Sequence, residues 1–322
     1  YAEDPFRNFL PSTGRLVYYR PPAEDEHVRV DTGVYEGGEV SMFYDPMIAK
    51  LITRGDDRAE AIARMRSALD RFIIRGVSNN IAFLSALMAH PRYVAGDIST
   101  HMIGEEYPEG FHPEDLPHED PVTIISVAAA IVRRYRDRAA CIDGQLRGHE
   151  RRVPDDWVVV MMGEYHPVSV VAAEGGYDVV YRDRTHAVRS NWSFGEQLFS
   201  GTVDGREVFV QVERRNQTYR LSRGGSQSDV SILTPRAAEL MRYMPLKAPP
   251  DTSRHLLAPM PGLLVSVAVK EGQEVKAGEE LAVLEAMKME NTLRAERNGV
   301  VAKIHFEAGA SLEVDETIME FE

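Results

Sequence analysis

The run Glu285-Ala286-Met287-Lys288-Met289-Glu290 sets one lysine between two methionines near the end of a 322-residue chain. A lysine amine on a flexible four-carbon stem can be acylated by an enzyme, and the amide so formed can hold a prosthetic group. Methionine on either side supplies a soft apolar collar that adapts to different partners. The surrounding sequence favours that chemistry. The half starting at Gly262-Leu263-Leu264-Val265 aligns, without a gap, with the half starting at Gly299-Val300-Val301-Ala302, at one offset of 37 residues. Gly272 then matches Gly309, Val275 matches Leu312, Leu281 matches Ile318 and Glu285 matches Glu322. Lys288 falls in the connection between the halves.

Each half reads as short strands with apolar residues in alternation: Leu263, Val265, Val267 and Val269, then Val300, Ala302, Ile304 and Phe306. Two such halves predict a small flattened β-sandwich with quasi-twofold symmetry. The crossover between them becomes a hairpin with Lys288 exposed at its tip.

Ala286-Met287-Lys288-Met289, with Ala258-Pro259-Met260-Pro261-Gly262 upstream, resembles the biotin carboxyl carrier domain of biotin-dependent carboxylases. The resemblance implies covalent biotin on Lys288, flanked by Ala286, Met287 and Met289, and a biotin protein ligase that attaches it. Lipoyl carrier domains share the doubled sandwich. They usually have Asp before the lysine and lack the methionine pair, so Met287 and Met289 favour biotin.

Composition narrows the classes. The chain is 43% apolar and 27% charged, ordinary for globular protein, and long enough for two or three domains. No apolar run is long enough to span a bilayer. Net charge is −13, and residues 251–322 hold seven Lys/Arg against fourteen Asp/Glu, so −7 of it lies there. Phosphate backbones would be repelled, which argues against nucleic acid as a partner. The single cysteine, Cys141, permits no internal disulfide and fits a reducing compartment; it reads as a small packing residue. Tyr1-Ala2-Glu3-Asp4-Pro5 reads neither as a signal peptide nor as the start of a protein.

Residues 1–103 read as an α+β unit. Arg15–Tyr19 and His27–Asp31 are expected strands, Asp56 or Asp57 caps a helix over 58–74, and a second helix covers 80–89. Tyr1-Ala2-Glu3-Asp4-Pro5, Pro11-Ser12-Thr13-Gly14, Val28-Arg29-Val30-Asp31, Tyr44-Asp45-Pro46-Met47 and Gly76-Val77-Ser78-Asn79-Asn80 resemble the C-terminal subdomain of biotin carboxylase. In that family a catalytic arginine stands just upstream of the Ala-Glu-Asp-Pro motif, and the ATP-grasp portion precedes it; the sequence here begins past both. Arg29, Asp45 and Lys50 read as surface or interface charges. Gly37-Gly38 and Gly224-Gly225 read as turn glycines and no phosphate-binding loop is visible, so no catalytic residue is identified.

Residues 104–243 begin with a Pro-rich, linker-like lead-in through Pro121. Residues 122–140 then predict a helix that is apolar on every side and basic at its end (Arg133, Arg134, Arg136, Arg138). Strands follow at 157–162, 168–171, 177–181, 186–189, 207–212, 219–222 and 230–233, with an Asp204-Gly205 hairpin turn. Thr234 caps a last helix with Pro235 at its first position. This order resembles the domain that joins the biotin-bearing and carboxyltransferase subunits of acyl-CoA carboxylases, a β-barrel curled around a central helix; an ordinary sandwich with a helix on one face is the other reading. Residues 244–257 form a Pro-rich tether, and 258–322 the carrier.

The histidines show no metal spacing, no Ser/His/Asp set stands out, and Met161, Met162, Met241 and Met244 read as core. The expected fold is thus multidomain: carboxylase subdomain, helix-in-barrel domain, flattened biotinyl sandwich. That order resembles the biotin-bearing α subunits of acyl-CoA carboxylases. Phe6-Arg7-Asn8-Phe9-Leu10-Pro11 and Tyr107-Pro108-Glu109-Gly110-Phe111 look most like the propionyl-CoA branch, with the methylcrotonoyl-CoA and geranyl-CoA branches near it. The resemblance implies two half-reactions. ATP, Mg²⁺ and bicarbonate load biotin in the complete carboxylase; a carboxyltransferase β subunit then passes the carboxyl to propionyl-CoA, giving methylmalonyl-CoA. It implies hetero-oligomers with further α subunits, in the cytoplasm of a bacterium or the mitochondrial matrix of a eukaryote. A lipoyl-type carrier and a purely structural assembly module are the readings from other classes.

Overall fold

A computed structural model describes residues 1–41, 43–117, 120–245, 254–286 and 289–322. In the first unit, helix α1 (Arg58–Arg71) starts where the Asp57 carboxylate accepts the Glu60 N–H at 2.8 Å. It ends three residues short of the expected Ile74. Phe72 and Ile73 keep helical apolar spacing, yet Ile73–Arg75 leave the helix to pair with Tyr18–Arg20. Val28–Thr32 pair with Ala49–Thr53, and α2 (Ile81–Ala89) packs against α1. Leu16, Ile48, Phe72, Ile74 and Val77 are buried together at the centre.

The Pro-rich lead-in does not hang free. Met102 and Phe111 are buried, and the Phe111 ring lies 5.3 Å from both Phe6 and Phe83. Arg92 reaches the carboxylates of Glu105 and Glu106 at 2.9 and 2.6 Å. Residues 102–111 therefore pack on the first unit.

The third helix, α3 (Val122–Ala140), has the span its periodicity predicts. Residues 125–133 are buried on every face. A helix of that kind has to be surrounded, and eight antiparallel strands close around it as a barrel. They are β1 (Asp156–Met161), β2 (Glu164–Ala173), β3 (Gly176–Tyr181), β4 (Arg184–Ser190), β5 (Leu198–Val203), β6 (Arg206–Arg215), β7 (Thr218–Arg223) and β8 (Ser226–Leu233). Each pairs with its neighbour, and β8 returns to β1 with Val230 opposite Met161. Val159, Val170, Val179, Val210, Leu221 and Val230 point inward and form one cluster with Ile125–Val132. Strand β5 is not among the strands expected from the sequence; Ser200-Gly201 interrupts its apolar pattern. Helix α4 (Pro235–Met241) follows, its first turn capped by Thr234.

The basic end of α3 does more than meet the helix dipole. Arg133 is buried and donates to Asp137 at 2.8 Å, to Asp155 at 2.7 Å and to the carbonyls of Pro154 and Val170. Asp137 also accepts the Tyr177 hydroxyl at 2.9 Å. Burial, then the Asp137 carboxylate, push the Tyr177 phenol up to about 12. The network ties the helix to the wall at β2 and β3. Three other expectations change. Cys141 is exposed at the end of α3 rather than packed. Of the methionines read as core, Met161 is buried, whereas Met162, Met241 and Met244 are exposed. His255–Leu257, read as the end of the tether, form a strand of the last domain, and 246–253 lie outside the described residues.

No helix among the described residues is long and apolar enough to cross a membrane. Ile131, 1% exposed, fills the centre of the barrel. Ile131→Ala is expected to cost about 2–5 kcal/mol, read from the urea midpoint of Trp157 and Trp192 fluorescence. A loss below about 1 kcal/mol would show that the helix and barrel do not share one core.

Candidate functional site

The C-terminal domain is built twice. Its strands are β9 (His255–Leu257), β10 (Gly262–Val267), β11 (Glu274–Val275), β12 (Glu280–Ala286), β13 (Met289–Arg294), β14 (Gly299–Ile304), β15 (Ser311–Leu312) and β16 (Thr317–Phe321). Two four-stranded sheets run β9-β16-β14-β11 and β13-β12-β10-β15. The 37-residue offset turns one order into the other. β10 maps on β14, and Gly262 opposite Leu312 is answered by Gly299 opposite Val275. The short strands swap sheets, so neither half completes a sheet alone. Buried residues obey the same symmetry: Ala258 with Ala295, Leu264 with Val301, Val275 with Leu312, Leu281 with Ile318. So do the turns. Glu279 accepts the Lys276 N–H at 2.9 Å, and Glu316 accepts the Glu313 N–H at 2.8 Å.

The alternation expected along the strands holds only in part. Leu264 and Val301 are fully buried, while Leu263 and Val265 are 44% and 38% exposed. A bulge between Leu264 and Ser266, repeated between Val301 and Lys303, shifts the register and lets Val269 and Phe306 turn back toward the core.

The hairpin of β12 and β13 is the site. Ala286 is opposite Met289 and Glu285 opposite Glu290. Two residues connect the strands: Met287 and Lys288, both outside the described residues. Their described neighbours divide sharply. Ala286 is 3% exposed and belongs to the core, whereas Met289, Glu285 and Glu290 face solvent. Ala286 therefore roots the hairpin in the core, while Glu285, Met289 and Glu290 beside it are exposed. Among the described residues no cluster of His, Cys, Asp or Glu side chains is placed to hold a metal ion.

The Pro-Met-Pro-Gly run lies beneath this hairpin. Ala258 and Met260 are buried in the sandwich core. A Cβ on Gly262 would lie 2.6 Å from the Glu285 carbonyl oxygen and 3.3 Å from the Ala286 Cβ. Gly262 thus lets β10 approach the hairpin root, a role that the repeat signals only by pairing it with Gly299. Elsewhere, Arg29 ion-pairs with Asp31 at 3.2 Å on the surface, as expected, and takes no part in the site.

Gly262→Val should push the hairpin root outward. The expected outcome is a loss of about 1–3 kcal/mol in the carrier domain, with faster amide exchange over Met289–Arg294. Unchanged exchange there would mean that the root does not depend on this contact.

Comparison with known proteins follows the same division. Residues 1–105 match the biotin carboxylase C-terminal domain, 124–247 the propionyl-coenzyme A carboxylase BT domain, and 254–321 the biotin-requiring enzyme family. Over its whole length the chain is 49% identical to the propionyl-CoA carboxylase alpha chain of Ruegeria pomeroyi, covering 50% of that protein. Identity is 39% to the mitochondrial propionyl-CoA carboxylase alpha chain of Mus musculus, of which the chain covers 45%. It is 30% to the mitochondrial methylcrotonoyl-CoA carboxylase subunit alpha of the same species, with 46% covered. The chain spans about half the length of the curated relatives it matches. Three carboxylase-related domains in succession, with whole-chain identity on this scale, relate the chain over its full length to about half of the alpha chains of acyl-CoA carboxylases.

Proposed function

We propose that Lys288 holds biotin in amide linkage and that the chain is the carrier-bearing part of a carboxylase whose acyl substrate is propionyl-CoA. The observation that carries this reading is the hairpin itself. A buried Ala286 roots it, Met289 and two carboxylates face solvent beyond the root, and the two-residue connection holds a lysine. These residues suit the group: the residues flanking the connection are exposed, and the domain matches the biotin-requiring family. Bound there, biotin supplies a ureido nitrogen able to take up and release a carboxyl group.

The chain's own residues do the rest by position. Acylation removes the charge of the Lys288 amine and lengthens its stem, so Lys288 acts as an anchor rather than as an acid or base. The sandwich core anchors the root of the hairpin through Leu284 and Ala286. Units 1–103, 104–243 and 258–322 serve as carboxylase subdomain, docking barrel and carrier, with 244 to about 254 as the tether. ATP, Mg²⁺ and bicarbonate belong to the complete carboxylase. A carboxyltransferase β subunit is the proposed acceptor of the loaded arm, with further α subunits in the assembly. The propionyl-CoA assignment is supported by identities of 49% and 39% to propionyl-CoA carboxylases against 30% to a methylcrotonoyl-CoA carboxylase.

Coexpression with a biotin ligase should add a biotin-sized increment to the intact mass, and Lys288→Ala should abolish it. No increment, a lipoyl-sized one, or one that survives the substitution would overturn Lys288 as the biotin site. With the full-length chain and a β subunit, propionyl-CoA should be carboxylated faster than methylcrotonoyl-CoA; the reverse order would move the enzyme to the other branch.

A further inference from the structure

We infer that the first unit and the barrel form one rigid body, locked by a polar seam in which Gln211 is the pin. On β6, Val208, Val210 and Val212 point into the barrel, so Phe209, Gln211 and Glu213 point out. Outward positions on a barrel normally meet water. Gln211 is only 6% exposed, because the first unit covers it.

Each outward residue of β6 meets a separate group. The Arg71 guanidinium lies 5.0 Å from the centre of the Phe209 ring. The Gln211 amide nitrogen donates to the carbonyls of Asp70 and Phe72, both at 3.1 Å, and its oxygen accepts from Arg75 at 2.8 Å. Arg75 also reaches Glu213 at 3.8 Å. Asp70 and Phe72 sit at the C-terminal end of α1, where a helix leaves carbonyls without intrahelical partners. A barrel side chain thus caps a helix of the other domain. Both of its donor hydrogens and its acceptor oxygen are engaged.

The turn between β7 and β8 makes the second contact. The Gly224 N–H donates to the Asp70 carboxylate at 2.6 Å. Gly225 has φ +83°, and a Cβ there would lie 2.9 Å from both the Ala82 carbonyl oxygen and the Ser85 Cβ of α2. Beside this turn a polar cavity of about 260 Å³ remains, lined in part by Arg66, Asp70, Ser85 and Glu207. The seam is therefore held by these specific contacts rather than by a continuous apolar core, and a few substitutions should open it. With the seam closed, any swing of Lys288 also requires the carrier to part from the first unit, whose Leu10 packs against the carrier core. That consequence rests on the carrier role proposed above; the seam itself does not.

The test is the distance between spin labels on the full chain. Cys141, the single cysteine, is exposed on the barrel side. A second label goes on the exposed surface of the first unit through Arg29→Cys, or on the carrier through Lys303→Cys. The Cys141–Arg29→Cys pair should give one narrow distance distribution, and the Cys141–Lys303→Cys pair a broad one. Gln211→Met keeps the side-chain volume but removes all three hydrogen bonds. Combined with Gly225→Val, it should widen the first distribution several-fold. A broad first distribution without these substitutions overturns the rigid body and needs no seam variant. A first distribution left narrow in the double variant overturns Gln211 and the turn as its lock. A narrow second distribution would instead remove the swing and leave the rigid body standing.

Discussion

The burial of α3 is the constraint on which the rest depends. Residues 125–133 leave no face fit for water, so the chain must enclose them. A closed sheet encloses a helix without leaving an unpaired strand edge. Closure then fixes everything outside the barrel. It makes Val208, Val210 and Val212 internal, which forces Phe209, Gln211 and Glu213 outward as a row. It brings the β7–β8 turn against α2 and sends the chain out through α4 beside β1 and β8. The Arg133 network adds a polar tie at the far end of the helix, which sets its depth in the barrel.

The carrier answers a different constraint. Roughly 70 residues bury little core, so a domain of that size must draw its stability from within. Duplication meets this need by exchange: β11 and β15 each complete the other half's sheet. The twofold symmetry is broken at the hairpin root. Gly262 lies hard against the hairpin root, while a Cβ on Gly299 would find its nearest neighbour at 3.7 Å. One end of the sandwich is thus tightened under the lysine hairpin, and the matching end is looser.

Local signals made much of this legible. The span of α3, the Thr234 cap, the Asp57 cap and the repeat of the carrier all lie within a few residues of the side chains that cause them. Lys288 stood out because residue type, flanking methionines and central placement in a repeat coincide. What stayed hidden depends on distant partners. Phe72 and Ile73 fit the helix pattern of α1, and only pairing with Tyr18–Arg20 pulls them into a strand. Ser200-Gly201 interrupts the apolar pattern of β5, which β4 and β6 bracket. The carrier bulges flip side chains without changing the letters around them. Gln211 and Gly224-Gly225 looked bland because their partners stand some 140 to 154 residues away in sequence.

A rigid barrel and a compact carrier leave covalent geometry to set the reach of the arm. Between Met241 at the end of α4 and His255 at the start of β9 lie 13 residues. Fully extended they span at most about 45 Å, at roughly 3.3–3.6 Å per residue. Three prolines, Pro245, Pro249 and Pro250, fall within this span and do not lengthen that limit. Residues 251–322 hold −7 of the chain's −13, yet Leu10 of the first unit packs against the carrier core, so this charge does not keep the two apart. Any point that the carrier hairpin reaches must therefore lie within the sum of that span and the length of the sandwich. Stiffening the seam cannot extend this radius, but loosening it would blur the centre from which the radius is drawn.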